Sequence, residues 1–124
     1  MNENSIQLPT KADFSYIQDI AGGQNEAYYN LLKIVSKNLD EYPPQIAEAH
    51  QQQDWETMKA LAHKYKSCTA YLNFPQLNEA LTALEHSQTQ QLSVEECEAL
   101  LAQITALSSF LYKEATKVLE AKEA

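Results

Sequence analysis

Glycine is scarce in this chain of 124 residues, and the two that occur, Gly22 and Gly23, are adjacent. A β-rich domain of this size normally needs more glycines in its turns, so the sequence favours a helical fold. The chain also lacks a GxxxxGK(S/T) loop and any other glycine-rich loop that could hold phosphates. We therefore expect no nucleotide site and no cofactor.

Basic residues are also few. Nine lysines and arginines stand against 17 aspartates and glutamates, which gives a formal net charge of −8 at pH 7. Binding to nucleic acid or to an anionic membrane surface depends on basic patches, so neither partner is expected. No apolar run approaches the length of a membrane span, and the N-terminal residues show no secretion signal. These observations predict a cytoplasmic protein.

The length of the chain is sufficient for one domain with one hydrophobic core. We assign residues 1–124 to a single domain, in which residues 1–10 form a loose polar arm and residues 11–121 form a helical bundle. Cys68 and Cys97 both fall on the apolar sides of helical patterns, which indicates buried thiols. No large exposed apolar stripe is evident in the sequence, so we expect a monomer.

The first half of the chain predicts one short and one long helix. The short helix runs from Asp13 to about Ile20 and ends at the glycine pair. The long helix follows, and its apolar seam consists of Tyr28, Leu32, Val35, Leu39, Tyr42, Ile46 and Ala49. Pro43 and Pro44 interrupt this seam. Because proline removes a backbone donor, we expect either a kink in one helix or a break between two.

Two further helices are predicted in the middle of the chain. Asp54 can cap the first of them, which runs to about Leu72, and Asn73 suits the left-handed residue that often follows a helix. Pro75 fits the first turn of the next helix. The apolar face of that helix is formed by Leu77, Leu81 and Leu84.

A final helix begins after a capping box, in which Ser93 is the N-cap and Glu96 is the third helical residue. Its seam consists of Cys97, Leu101, Ile104, Ser108, Leu111, Ala115 and Val118. Long periodic helices with short connections predict an all-α fold. We expect an antiparallel four-helix bundle with a short additional N-terminal helix.

One histidine lies away from the apolar stripe of its predicted helix. The stripe is formed by Met58, Ala62, Tyr65, Thr69 and Leu72. With about 100° of rotation per residue, His63 lies nearly opposite this stripe, so its imidazole is expected in solvent. Lys59 and Lys66 lie four residues before it and three after it, which are spacings that bring side chains together on a helix surface.

An exposed imidazole among ammonium groups suits a transferable anion better than it suits packing. With an unperturbed pKa near 6.5, the ring is mostly neutral at pH 7, and a neutral ring nitrogen can attack phosphorus. The product would carry negative charge beside Lys59 and Lys66, with Lys64 slightly farther away. Phosphoryl transfer needs mainly positioning and charge neutralisation, so a helix surface suffices if a partner supplies the metal.

The segment from Ala62 to Asn73 resembles the phosphorylation-site helix of histidine phosphotransfer (HPt) domains. The motif of that family reads roughly A-H-x-L-K-G-S-x-x-x-(L/I)-G. Asp54 and Trp55 resemble the acidic and large apolar residues that open the same helix in the family. The resemblance covers roughly residues 10–120, because the order and lengths of the predicted helices also agree.

The resemblance implies that His63 accepts the phosphoryl group and that Lys66 supports it. It further implies that the surrounding face docks a receiver domain, whose aspartate and bound Mg²⁺ complete the transfer site. The chain itself would need no metal site. The residues expected on that face are Lys59, Ala60, Lys64, Ser67 and Ala70.

This chain departs from the family motif at three positions. Tyr65 replaces the motif leucine, and Asn73 replaces the glycine after the helix. Ser67 replaces the glycine that leaves room beside the histidine. The serine is expected to narrow access for a receiver, and its hydroxyl could bond the imidazole or a phosphoryl oxygen.

The expected function is therefore that of a carrier and not of an enzyme. The chain would accept a phosphoryl group on His63 from the aspartate of one receiver domain and pass it to another. Its partners would be response-regulator receivers, a hybrid sensor histidine kinase, or both.

Two alternatives stay open. One is a binding module that sequesters a receiver or kinase without accepting phosphate. The residue that would indicate such a module is Ser67, which replaces the motif glycine. The other is an unrelated helical adaptor with an accidental match at His63.

Overall fold

Every regular element of residues 11–123 is helical, and these are the residues that the computed structural model describes. The predicted arm of residues 1–10 lies outside this range. The helices are α1 (Ser15–Ile20), α2 (Asn25–Gln51), α3 (Trp55–Thr69), α4 (Pro75–Glu85) and α5 (Val94–Glu123), and one 3₁₀ turn (Ala70–Leu72) extends α3. The predicted all-α fold and helix order are confirmed.

Four of these helices form a closed ring of packed neighbours. Helix α2 packs against α3 and α5, and α4 packs against the same two helices. The short connections make consecutive helices antiparallel. Helix α1 lies outside the ring, where it contacts α2 and the 3₁₀ turn. The arrangement is the predicted antiparallel four-helix bundle with an additional N-terminal helix.

The predicted apolar seams form the core. Leu32, Leu39 and Ile46 of α2 are fully or almost fully buried, and so are most of the predicted seam residues of α3, α4 and α5. Tyr42 of α2 and Val118 of α5 are only partly buried and pack at the edge of the core. Cys97 is buried as expected, whereas Cys68 is only half-buried. Among residues 11–123, no helix combines the length and the apolarity that crossing a bilayer would require.

The helix ends follow the predicted caps. The Asp54 carboxylate accepts a hydrogen bond from the Thr57 backbone N–H at 3.2 Å, and Asn73 adopts a left-handed backbone with φ of 50°. Ser93 and Glu96 form the reciprocal capping box, with both hydrogen bonds at 3.0 Å. The Asp54 cap and the left-handed Asn73 fix where α3 begins and ends, and therefore on which side of the helix His63 lies.

Helix α2 continues through both prolines, so the alternative of a break between two helices is wrong. Pro43 and Pro44 leave the carbonyls of Leu39 and Asp40 without their usual backbone donors. With the clash between the proline ring and the preceding turn added to the lost hydrogen bond, a proline inside a helix costs about 3 kcal/mol. Burial of a large apolar side chain contributes about 1.5–3 kcal/mol, and the buried seam continues on both sides of the pair, through Leu39 and Ile46. Packing therefore keeps the segment helical.

A buried polar contact joins α3 to α5. Tyr65 is fully buried, stacks on Tyr42 with ring centroids 5.0 Å apart, and shares a 2.6 Å hydrogen bond with the hydroxyl of Ser108. Burial raises the pKa of the Tyr65 phenol well above its ordinary value, so the ring stays neutral. Tyr65 lies on the opposite side of α3 from His63, so this contact anchors the helix behind the exposed imidazole.

Candidate functional site

His63 lies on the solvent side of α3, with 67% of its side chain exposed. On the opposite side of the helix, Met58, Ala62 and Tyr65 are fully buried. The predicted division of α3 into a buried stripe and an exposed histidine is therefore confirmed. A side chain in this position is accessible to another protein without any rearrangement of the bundle.

A carboxylate from the neighbouring helix holds both His63 and Lys66. Glu85, the last residue of α4, places one oxygen 3.0 Å from Nδ1 of His63 and the other 2.8 Å from Nζ of Lys66. Only 10% of the Glu85 side chain is exposed, and Lys66 is 28% exposed. We call these three residues the His63–Glu85–Lys66 triad. Its carboxylate is enclosed, whereas its imidazole projects into solvent.

The hairpin of α3 and α4 brings the triad together. His63 lies eleven residues before Phe74, at the turn, and Glu85 lies eleven residues after it. In an antiparallel hairpin, residues equidistant from the turn face each other. A hydrogen bond between the side chains of Thr69, five residues before Phe74, and Asn78, four residues after it, joins the two helices nearer the turn. The position of Glu85 is thus a consequence of where Asn73 and Pro75 end one helix and begin the next.

The charge state of Glu85 decides which nitrogen of His63 carries a proton. The hydrogen bond from the Lys66 ammonium, with a smaller contribution from His63, holds the pKa of Glu85 below its ordinary value, although burial opposes this effect. An ionised carboxylate only accepts hydrogen bonds, so Nδ1 of the neutral imidazole carries the hydrogen. Nε2 is left with a free lone pair on the exposed edge of the ring.

Lys66 forms an ion pair with Glu85, a partner that the sequence did not indicate. An ammonium has three N–H donors, so the bond to Glu85 leaves two of them for another acceptor. A carboxylate on a different helix cannot be found from the i+3 and i+4 spacings within one helix. Glu85 could have been found from the sequence by pairing residues that lie equally far before and after the predicted turn at Asn73 and Phe74.

The other residues expected around His63 are all exposed. These are Lys59, Ala60, Lys64, Ser67 and Ala70. Ala70 belongs to the 3₁₀ turn, and the rest belong to α3. The Ser67 hydroxyl donates a long, 3.4 Å hydrogen bond to the backbone carbonyl of His63. The hydroxyl is directed at the helix backbone and not at the imidazole, which was one of the two partners suggested by the sequence, the other being a phosphoryl oxygen.

A shallow groove lies between α2 and α3, on the side of α3 that carries Lys64. Lys64 and Leu61 of α3 line it together with Ile34, Lys37 and Glu41 of α2. The imidazole thus has different surroundings on its two sides. Towards α4 the triad closes the surface. Towards α2 the surface is open and carries Lys37, Lys64 and Glu41, and the Glu41 carboxylate lies 4.0 Å from the Lys37 ammonium.

Comparisons with known proteins agree with the helical fold that carries this site. The family model described as the Hpt domain matches residues 30–110. One solved structure, the HPT domain of an Hpt sensor hybrid histidine kinase from Shewanella, is similar with a TM-score of 0.72 and 20% sequence identity. The match covers 88% of this chain and 93% of that one. No curated protein matches the sequence significantly.

Proposed function

The chain belongs to the Hpt domain family, and from this membership we propose that it carries a phosphoryl group on His63. The single observation that best supports the proposal is the His63–Glu85–Lys66 triad, which leaves Nε2 exposed with a free lone pair. An Hpt domain is a phosphotransfer module of phosphorelays. The group would arrive from the aspartate of one receiver domain and leave for the aspartate of another.

The transfer step uses the two edges of the imidazole differently. Nε2 attacks the phosphorus of the aspartyl phosphate, an N–P bond forms, and the P–O bond to the receiver's aspartate breaks, which releases that carboxylate. The ring becomes cationic, because Nδ1 keeps its hydrogen. The enclosed Glu85 carboxylate stabilises this positive charge and holds the ring in position, as a carboxylate does behind other catalytic histidines. In the reverse direction the same contacts return the group to a receiver.

We propose two roles for Lys66. It holds Glu85 through the observed ion pair, and its remaining donors support an oxygen of the phosphoryl group. Lys59 and Lys64, both exposed near His63, add positive charge where the phosphoryl group would lie. The Mg²⁺ that assists the reaction belongs to the receiver, so the chain acts as a carrier without a metal or cofactor of its own.

The remaining expectations from the sequence become part of the same proposal. The chain would act as one domain, as a monomer, and in the cytoplasm, where receivers and hybrid kinases present their aspartates. The alternative of an unrelated helical adaptor is not supported, since that reading required a different helix order. The binding surface would include Ala60, Ser67 and Ala70 as well as the two exposed lysines.

The test is phosphoryl transfer in solution. Receiver domains encoded in the same genome are phosphorylated on aspartate with acetyl phosphate and mixed with the chain, and the product is examined by mass spectrometry. We expect an acid-labile, base-stable phosphate on His63. His63→Gln should fold normally by circular dichroism and take up no label. Labelling that persists in His63→Gln would show that the site is assigned to the wrong residue.

A second candidate function rests on Ser67. Its side chain is exposed one turn after His63, on the face that a receiver would approach. A module that binds a receiver but blocks transfer would show measurable affinity by calorimetry and no phosphate on His63. Phosphate that appears on His63 as fast as the receiver binds would exclude this candidate.

A further inference from the structure

We propose that the groove between α2 and α5 contains a binding site for a small aliphatic amine in its protonated form. We call this site the proline pocket, and the residues that form it include Asp40, Pro43 and Pro44 of α2 and Thr105, Ser109 and Tyr112 of α5. In the ring of four helices, this groove lies opposite the groove between α3 and α4, which holds the triad. Binding of an amine here therefore does not require that His63 carry a phosphoryl group.

The pocket exists because small side chains of α5 face the two proline rings of α2. Ser108, Ser109 and Tyr112 follow Thr105 by three, four and seven residues, so all four lie on one face of α5. The three short hydroxyl side chains do not fill the space beside the rigid proline rings, and a cavity of about 190 Å³ is left. At roughly 30 Å³ for each water-sized group, the cavity has room for about six non-hydrogen atoms.

Two backbone carbonyls at the pocket have lost their usual helical donors. In an uninterrupted helix, the backbone N–H groups of residues 43 and 44 would donate to the carbonyls of Leu39 and Asp40, but proline has no N–H. Leu39 is only 2% exposed, so its carbonyl has little access to bulk water. Because buried carbonyls are nearly always hydrogen-bonded, a ligand that donates hydrogen bonds is favoured at this place.

The charge of the pocket favours a cation. Asp40 is exposed and carries a formal negative charge, and no lysine of the described residues lines the pocket. The ion pairs among residues 11–122 do not include Asp40. The hydroxyls of Thr105 and Ser109 add further acceptors. An ammonium has three donors and no acceptor, so it complements these groups, whereas a phosphate or carboxylate would be repelled by Asp40.

The apolar part of the pocket suits a short carbon chain. Pro44 and Tyr112 both line the pocket and are exposed, so their rings lie at its opening, where the tyrosine ring can also attract an ammonium.

The surface around the pocket favours a free amine over a lysine of a protein partner. Besides Tyr112, the large exposed apolar side chains known on α2 and α5 are Ile34 and Val94. Ile34 lines the groove towards α3, and Val94 lies eighteen residues before Tyr112, about 27 Å along the helix axis. A stable protein interface covers roughly 800 Å² on each partner, and it is most apolar at its centre. The isolated pocket is therefore better matched by a small molecule.

The experiment is a titration of the full-length chain with butylamine, followed by two-dimensional NMR of the backbone amides at constant ionic strength. Butanoate has a similar carbon chain with a carboxylate in place of the amine, so it distinguishes charge recognition from apolar contact. Acetyl-lysine methylamide, with the acetyl group on the α-nitrogen, carries the same four-carbon amine on a peptide unit. It therefore represents a lysine of a partner protein.

Two substitutions test the acceptors of the pocket. Asp40→Asn removes the charge and keeps the shape of the side chain. Pro44→Ala returns the missing N–H, which would then occupy the carbonyl of Asp40. Asp19→Asn, which changes an exposed aspartate of α1, is the matched control. Circular dichroism confirms that each variant is folded.

We expect butylamine to bind with a Kd on the order of 1 mM and to shift the amides of the α5 residues that line the pocket. The Kd should rise about fivefold or more in Asp40→Asn and Pro44→Ala and change less than about twofold in Asp19→Asn. Butanoate should not shift these amides.

Three results would overturn the proposal. If Asp19→Asn weakened binding as much as Asp40→Asn, or if no amides of the pocket shifted, the amine would be attracted only by the overall negative charge of the chain. If butanoate shifted the same amides with a similar Kd, the pocket would not recognise a cation. If acetyl-lysine methylamide bound more tightly than butylamine, the occupant would be a lysine of a partner protein and not a free amine.

Discussion

The carboxylate of Glu85 lies 3.0 Å from Nδ1 of His63, and the two residues come from different helices that meet only because the hairpin turns at Phe74. This relationship fixes the tautomer of the exposed imidazole. In the proposed transfer step, it also places a negative charge behind the ring when the ring becomes positive. Under the proposed function, we therefore expect the reactivity of His63 to depend on a residue that is distant in the sequence and largely buried.

Removing the Glu85 carboxylate should slow transfer from a phosphorylated receiver. A hydrogen bond to a charged group contributes about 1.5–3 kcal/mol, and 1.4 kcal/mol corresponds to tenfold, so we expect Glu85→Ala to slow transfer about tenfold or more. Glu85→Gln keeps an acceptor for Nδ1–H without the charge and should be intermediate. Glu79→Ala, an exposed glutamate on the same helix, is the control.

The tautomer of His63 provides a readout that lost stability alone would not change. Nitrogen NMR of the wild type should show the hydrogen on Nδ1, and Glu85→Ala should show a mixture. If rate and tautomer were both unchanged in Glu85→Ala, the contact between His63 and Glu85 would have no part in transfer.

Lys66→Ala should change how stability depends on pH. Lys66 lowers the pKa of Glu85 from its ordinary value of 4.5. A carboxyl with a lower pKa in the folded chain adds stability above its unfolded-state pKa, and this stability is lost as the pH falls through the folded-state value. The free energy of unfolding by urea should therefore fall less between pH 7 and pH 3 in Lys66→Ala than in the wild type.

The expected loss at pH 7 is about 1 kcal/mol or less, because Lys66 is partly exposed. Lys59→Ala, on the exposed side of the same helix, serves as the control. Parallel pH profiles for Lys66→Ala and the wild type would mean that the ion pair with Glu85 does not form in solution. Transfer to His63 should also be slower in Lys66→Ala.

Two substitutions at Ser67 distinguish an effect of the side chain on access to His63 from an effect of its hydroxyl group. If the side chain narrows the approach to His63, Ser67→Gly should transfer faster than the wild type, whereas Ser67→Ala, which keeps the β-carbon, should transfer at a similar rate. A gain in Ser67→Ala as large as in Ser67→Gly would assign the effect to the hydroxyl. Glycine inside a helix costs roughly 0.5–1 kcal/mol, so rates should be compared well below the melting temperature.

The buried pair of Tyr65 and Ser108 gives a prediction about stability. Tyr65→Phe removes one partner and leaves the enclosed Ser108 hydroxyl without a hydrogen bond, which should cost about 1–3 kcal/mol in urea unfolding. Ser108→Ala added to Tyr65→Phe should recover part of that loss, because no unpaired hydroxyl remains. If the losses simply add in the double variant, the two hydroxyls do not interact.

The sequence was sufficient to predict the features that depend on neighbours along the chain. The buried seams, the Asp54 cap, the left-handed Asn73 and the exposure of His63 all follow from helical period and capping chemistry. Features that depend on contacts between helices were missed or left open. The continuity of α2 through Pro43 and Pro44 is decided by packing against the rest of the bundle, and Glu85 reaches His63 only through the register of two helices.

Under the proposed function, the fully buried stripe of α3 has a consequence for how a partner recognises phosphorylated His63. Because Met58, Ala62 and Tyr65 are packed on the side away from His63, the helix has no room to shift when a phosphoryl group is added. That group would bring about two negative charges to a surface where Lys59, Lys64 and Lys66 lie close to His63. A partner that distinguishes the loaded molecule from the empty one must therefore sense this local charge and not a change of shape.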